Sequence, residues 1–110
     1  MLADFEIKIF AEQLFEDHDL SASGWTFEIV DDLNGNWGFT NAEEKTIKIS
    51  RDDWPTLDRN IKELIRHEVA HALRGDGRHD LEWWDILISI DGCGVWVHSD
   101  GGIQQARITD

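Results

Sequence analysis

His67-Glu68-Val69-Ala70-His71 opens the stretch that decides how this chain is read, and Ala72-Leu73-Arg74-Gly75-Asp76-Gly77-Arg78-His79-Asp80 completes it. Helical residues four apart lie one turn apart on one face, so His67 and His71 aim both imidazoles at one point. Glu68 sits beside the first histidine, close enough to act on a water there as general base. Gly75 and Gly77 let the helix stop and the chain turn back, which returns His79 as a third ligand. Three protein ligands with an open fourth position describe a catalytic zinc site rather than a structural one. His-Glu-x-x-His also arises by chance in helices. Here an amphipathic segment leads into it, Val69 and Ala70 suit a packed helix, and a third histidine follows a glycine turn.

Working outward, the spacing predicts a long helix over about Thr56 to Arg74, buried along Leu57, Ile61, Leu64, Ile65, Val69, Ala72 and Leu73. Ser50 or Asp53 would cap it, Pro55 lies near its first turn, and Gly75 ends it. After His79, Leu81, Trp84, Leu87 and Ile88 line one side of a short helix. The strand propensity of Ile86 to Ile90 competes with that reading. Gly92-Cys93-Gly94 breaks the element. Val95-Trp96-Val97 then reads as a strand, with Ile103 to Ile108 as its partner across an Asp100-Gly101-Gly102 turn.

Upstream, Leu2, Phe5, Ile9, Phe10 and Leu14 recur at spacings of three and four, which predicts a helix from Leu2 to about Asp19 with Ile7 and Phe15 beside the stripe. Leu20 to Gly24 reads as a linker. Trp25, Phe27 and Ile29 alternate with polar residues, as do Ile47 and Ile49, and Trp37-Gly38-Phe39 is a further short extended piece. Two or three antiparallel strands fit this region, with Trp25, Phe27, Ile47 and Ile49 facing the helices. The expected architecture is a single α+β domain over residues 1–110. It has an N-terminal helix, a small antiparallel sheet, the long histidine-bearing helix and a shorter helix after the third ligand.

Composition narrows the function. The formal charge is −13, from 23 acidic and 10 basic side chains. That field repels phosphate backbones and argues against direct nucleic-acid binding, while suiting a basic partner. The lone Cys93 excludes an internal disulfide and a four-cysteine zinc ribbon, and fits a reducing, cytoplasmic location. Asp4, Glu6 and Lys8 interrupt the first apolar residues, so they do not read as a signal peptide, and no stretch is long enough to span a membrane. Tyr is absent, so no phenol can steady a developing oxyanion.

The pattern resembles the SprT-like zinc metallopeptidases, especially minimal phage and bacterial forms. The likeness rests on Trp25-Thr26-Phe27, the Thr46 to Ser50 strand, His67 to His71, and His79-Asp80-Leu81-Glu82-Trp83. It runs from Trp25 to Trp84 and is strongest at the metal motif. The resemblance implies a zincin-like fold, His67, His71 and His79 as Zn2+ ligands, and Glu68 as catalytic base. Many relatives carry a cysteine-rich zinc ribbon that this chain cannot make. DNA-linked members carry basic binding regions, which this acidic chain lacks, so a DNA-repair role does not carry over. Glu82 is the competing third ligand in another zinc-peptidase pattern. The pattern with glycine three and histidine six residues after the second ligand meets Arg74 and Gly77 here instead.

The expected reaction is hydrolysis of a peptide bond in a protein or peptide substrate, of basic or disordered character. The opposing reading is a non-catalytic interaction protein on the same scaffold with a structural zinc, or an acidic mimic that binds a basic partner. Arg78 and His98 are the side chains available as oxyanion donors, though each reads first as solvent-exposed. Asp76, Asp80 and Asp85 are candidate acceptors behind the ligands, with a capping role competing at Asp80. Trp83 and Trp84 read first as core.

Overall fold

A computed structural model describes residues 2–50, 58–97 and 103–105. Its elements are α1 (Asp4–Asp17), β1 (Thr26–Val30), β2 (Gly38–Asn41), β3 (Thr46–Ser50), α2 (Asp58–Arg74), α3 (Leu81–Ser89), β4 (Val95–Val97) and β5 (Ile103–Gln105). The α+β expectation holds in this form: three helices pack with a three-stranded sheet, and β4 and β5 make a separate antiparallel pair.

The sheet is mixed rather than antiparallel. Its order is β1-β3-β2, with β1 parallel and β2 antiparallel to the central β3. Alternation puts Phe27, Ile47 and Ile49 on the inner face whichever way the neighbour runs, so the pattern carries no direction. Direction comes from the connections. The Asn41–Thr46 link is a tight hairpin turn in which Asn41 Oδ1 accepts the Glu44 N–H at 3.1 Å and Lys45 takes φ 54°. The longer segment after β1 turns at Asp32, whose Oδ1 accepts the Asn34 N–H, and at Gly35 with φ 84°. It carries the chain past β3 to the far edge.

The helices form where periodicity places them, but two present a different face. α1 buries Ile7, Ala11 and Phe15, and leaves Phe5 and Ile9 exposed. Both stripes have helical spacing. The small Ala11 at the centre of the first lets α1 settle onto its neighbours, and Phe10 instead lies under Lys62 and Arg66. α3 buries Trp83, Leu87 and Ile90 rather than Leu81 and Ile88. Asp80 caps it, its carboxylate accepting the Trp83 N–H at 2.9 Å.

In α2 the residues Ile61, Leu64, Ile65 and Val69 are buried as expected, while Ala72 and Leu73 are half-buried. Ser50 belongs to β3 and is buried there, and the residues that would show whether it caps α2 lie outside the described ones. Asp53, Pro55, Thr56, Leu57 and the turn at 100–102 lie outside the described residues. Gly75 does end α2, at φ 94°, with its N–H on the His71 carbonyl. Among the described residues no helix is long and apolar enough to cross a membrane.

Candidate metal centre

Two turns of α2 and the loop after it bring His67, His71 and His79 together. His71 Nε2 lies 3.2 Å from His67 Nε2 and 2.9 Å from His79 Nε2. One ligand nitrogen from each residue lies within 4.8 Å of the others. Nitrogens sharing a tetrahedral zinc ion stand about 3.3 Å apart, which the two separations from His71 approach. The three histidines can hold a metal ion.

Burial keeps the imidazoles uncharged, as ligands must be. It lowers His67 to about 3 and His71 to about 4 from the ordinary 6.5, with neighbouring imidazoles adding to the effect, and it lowers His79 as well. His71 Nδ1 lies 3.2 Å from the Asp76 carbonyl oxygen, and donating there leaves Nε2 as the ligand atom. The acceptor behind His71 is thus the Asp76 backbone and not a carboxylate.

Asp80 serves the loop. Its oxygens take Arg74 Nε at 3.2 Å and Nη2 at 2.8 Å while capping α3. Arg74 also pairs with Asp76 and Glu82. These bonds hold the Asp80 carboxyl well below the usual carboxylate range, the Arg74 pair foremost. Asp76 in turn accepts the Arg78 backbone N–H and Nε. The turn that returns His79 is therefore clamped at both ends. Arg78 is engaged there and exposed, Asp85 is exposed, and Glu82 pairs with Arg74. His98 lies outside the described residues.

Trp83 packs under the cluster. Its ring centroid lies 4.9, 5.5 and 4.6 Å from those of His67, His71 and His79, and it is fully buried. It is core and wall at once, while Trp84 is half-buried beside it.

Glu68 faces β2. Thr40 Oγ1 lies 2.8 Å from Glu68 Oε1 and 3.0 Å from the Glu68 carbonyl oxygen, and donates to this pair. Gly38, two residues earlier on the same face, passes so close that a Cβ would stand 3.0 Å from Glu68 Cγ and 3.1 Å from Oε2. Any larger residue there would press on the Glu68 side chain, so glycine lets the strand approach the carboxylate. Burial raises Glu68 to about 7, and the Thr40 hydrogen bond partly opposes the rise. A cleft of about 340 Å³ opens beside it, lined by Asn36, Trp37, Gly38, Leu64, His67 and Glu68 among others.

Three contributors escaped the sequence reading. Thr40 and Gly38 show only as a polar, small inner face on an otherwise ordinary strand. Glu63 is buried on α2, one turn before His67, where it accepts the backbone N–H groups of Cys93 at 3.0 Å and Gly94 at 3.1 Å. With Arg59 Nη1 on the Val95 carbonyl, it fastens the entry to β4 onto the histidine-bearing helix.

These shifts set the acid behaviour of the metal-free chain. Histidines lowered from 6.5 leave the unfolded state binding more protons, so their stabilisation is intact above pH 6.5 and is lost as pH falls through 4. Glu68 acts oppositely between 4.5 and 7, offsetting about one of the three. Chelator-treated protein should therefore melt at steadily lower temperature from pH 6.5 downward, followed by circular dichroism. A melting temperature unchanged down to pH 4 would show that the imidazoles are not held neutral.

No protein-family model matches the chain, and no curated protein matches it significantly.

Proposed function

We propose that this chain is a zinc-dependent peptidase on a minimal zincin-like domain of the SprT-like kind, with Glu68 as general base. The observation that carries the reading is one juxtaposition. Three imidazole nitrogens converge, and one of those histidines, His67, borders the same cleft as Glu68.

His67, His71 and His79 would hold the ion. Zinc there supplies Lewis acidity, which brings the ionisation of water near neutral pH and polarises a carbonyl. Glu68 does the proton work. Thr40 engages Oε1, so Oε2 is the oxygen left to take a proton from the attacking water and pass it to the departing amine. A carboxyl poised at about 7 suits both directions of that transfer near neutral pH. Trp83 keeps water from the rear of the imidazoles, and the clamped loop holds His79 in place. With the net charge of −13, an unstructured basic protein is the substrate class favoured by the field.

The alternative is a structural metal in an interaction protein. It draws on the burial of Glu68, which is 6% exposed and joined to Thr40 as a link between α2 and β2 would be. The two separate on metal removal. Protein purified without chelators should carry about one zinc per chain and cleave an unstructured basic protein. Chelation should abolish cleavage, and added zinc should restore it. Zinc bound at that ratio with no cleavage under any condition would favour the structural role.

A further inference from the structure

Among the described residues β1 is an open edge, since the sheet order is β1-β3-β2 and β1 pairs there with β3 alone. Thr26 donates its N–H to the Lys45 carbonyl at 3.0 Å, on the β3 side. Backbone groups of successive strand residues point to opposite sides, so Phe27 and Ile29 direct their N–H and C=O along the free edge. No loop or helix hydrogen bond among the described residues takes those groups.

Edge strands are ordinarily blunted by proline, a bulge, or a covering segment. β1 has no proline. It has instead a seam with α1 that holds two cavities of about 390 and 420 Å³. Phe5 and Ile29 line the first, Phe15 and Trp25 line the second, and Phe27 and Lys8 line both. Phe5 is 67% exposed, an apolar surface with nothing described against it. The rim is acidic: Glu28 borders the first cavity and Glu12 and Glu16 the second, against Lys8 at both and Lys48, 3.8 Å from Glu28.

We infer that the α1–β1 seam docks an extended segment of a partner protein, which adds as a strand to β1 and alternates apolar with basic side chains. The added backbone pairs with Phe27 and Ile29, apolar side chains on its inner face enter the two cavities, and the basic ones, on the opposite face, meet Glu28 in a chain of net charge −13. A second copy of this chain fits poorly, because it would set the same carboxylates against one another. The seam lies at the opposite sheet edge from β2, which passes Glu68. The inference therefore does not rest on the peptidase reading.

The test titrates the whole chain, wild type and Glu68→Gln alike, with a synthetic peptide of alternating Val and Lys. A Val and Glu peptide is the control, and backbone amide shifts and fluorescence anisotropy are followed at low and high salt. Saturable binding is expected for the lysine peptide alone, with shifts centred on Phe27 and Ile29 and weakening in salt. The exposed change Glu28→Lys should weaken it about tenfold. Ile29→Pro, tolerated at an edge whose N–H faces outward, should abolish it while the circular dichroism spectrum is kept. Four results would each overturn the inference: no saturable binding, equal binding of the glutamate peptide, shifts centred on the Gly35 to Gly38 cleft, or self-association through β1 without peptide.

Discussion

Replacing Glu68 by Gln is expected to lower peptide hydrolysis roughly 10²–10⁴-fold, the usual share of a general base, while leaving zinc content unchanged. Gln has nearly the same shape, and its amide oxygen can accept the Thr40 hydroxyl as Oε1 does. The three Nε2 atoms that would bind the ion are untouched. What is lost is a group that takes a proton at neutral pH. Stability should move the other way in metal-free protein. Glu68 titrates near 7 when folded against 4.5 unfolded, so its favourable contribution is complete below pH 4.5 and lost as pH rises through 7. At pH 8 the wild type therefore carries a buried carboxylate at a cost of about 3 kcal/mol, which Gln avoids. The variant should melt higher than wild type at pH 8 and no higher at pH 4.

Lost activity with gained stability is the signature of a residue kept for chemistry. A link kept for structure alone would leave hydrolysis the same in Glu68→Gln, which preserves the Thr40 bond. Zinc titration by calorimetry, hydrolysis and thermal melts on one pair of proteins decide between them. Equal hydrolysis by the variant would remove Glu68 from the mechanism.

What could be read in the sequence was local. The four-residue step from His67 to His71 depends on helix geometry alone, and Gly75 announced its own φ of 94° because few other residues accept it. Strand alternation at Thr46 to Ser50 gave the inner face of β3 correctly. The misses were all relational. A parallel β1 looks like an antiparallel one, because the same side chains turn inward. α1 offered two apolar stripes, and the choice between Ile7 and Ile9 depends on the surface it meets. α3 was displaced in the same way, with Trp83 buried where Trp84 was favoured. Thr40, 28 residues before Glu68, and Glu63, 30 before Cys93, acquire meaning only when the chain has folded.

Trp83 carries the second large effect. Trp83→Ala is expected to cost about 3–5 kcal/mol in urea denaturation, a large share of the 5–15 kcal/mol that holds a domain together. The side chain is fully buried, and neighbouring backbone belongs to α2 and α3, which cannot collapse freely into the space. Three imidazoles also lose the surface that sets their angles, so zinc affinity should fall roughly 10–100-fold, as when other outer-shell support is removed. Trp83→Phe separates the two contributions. It leaves an aromatic floor and a smaller void. It also deletes the Trp83 Nε1–H, which is buried without a hydrogen-bond partner among the described residues. Relief of that donor offsets about 1–3 kcal/mol of lost packing. Trp83→Phe should therefore stay within about 1 kcal/mol of wild type and keep most of the zinc affinity. If Phe proved as damaging as Ala, the indole N–H would have a partner when zinc is bound, and Trp83 would belong among the groups that tune the ligands rather than beneath them.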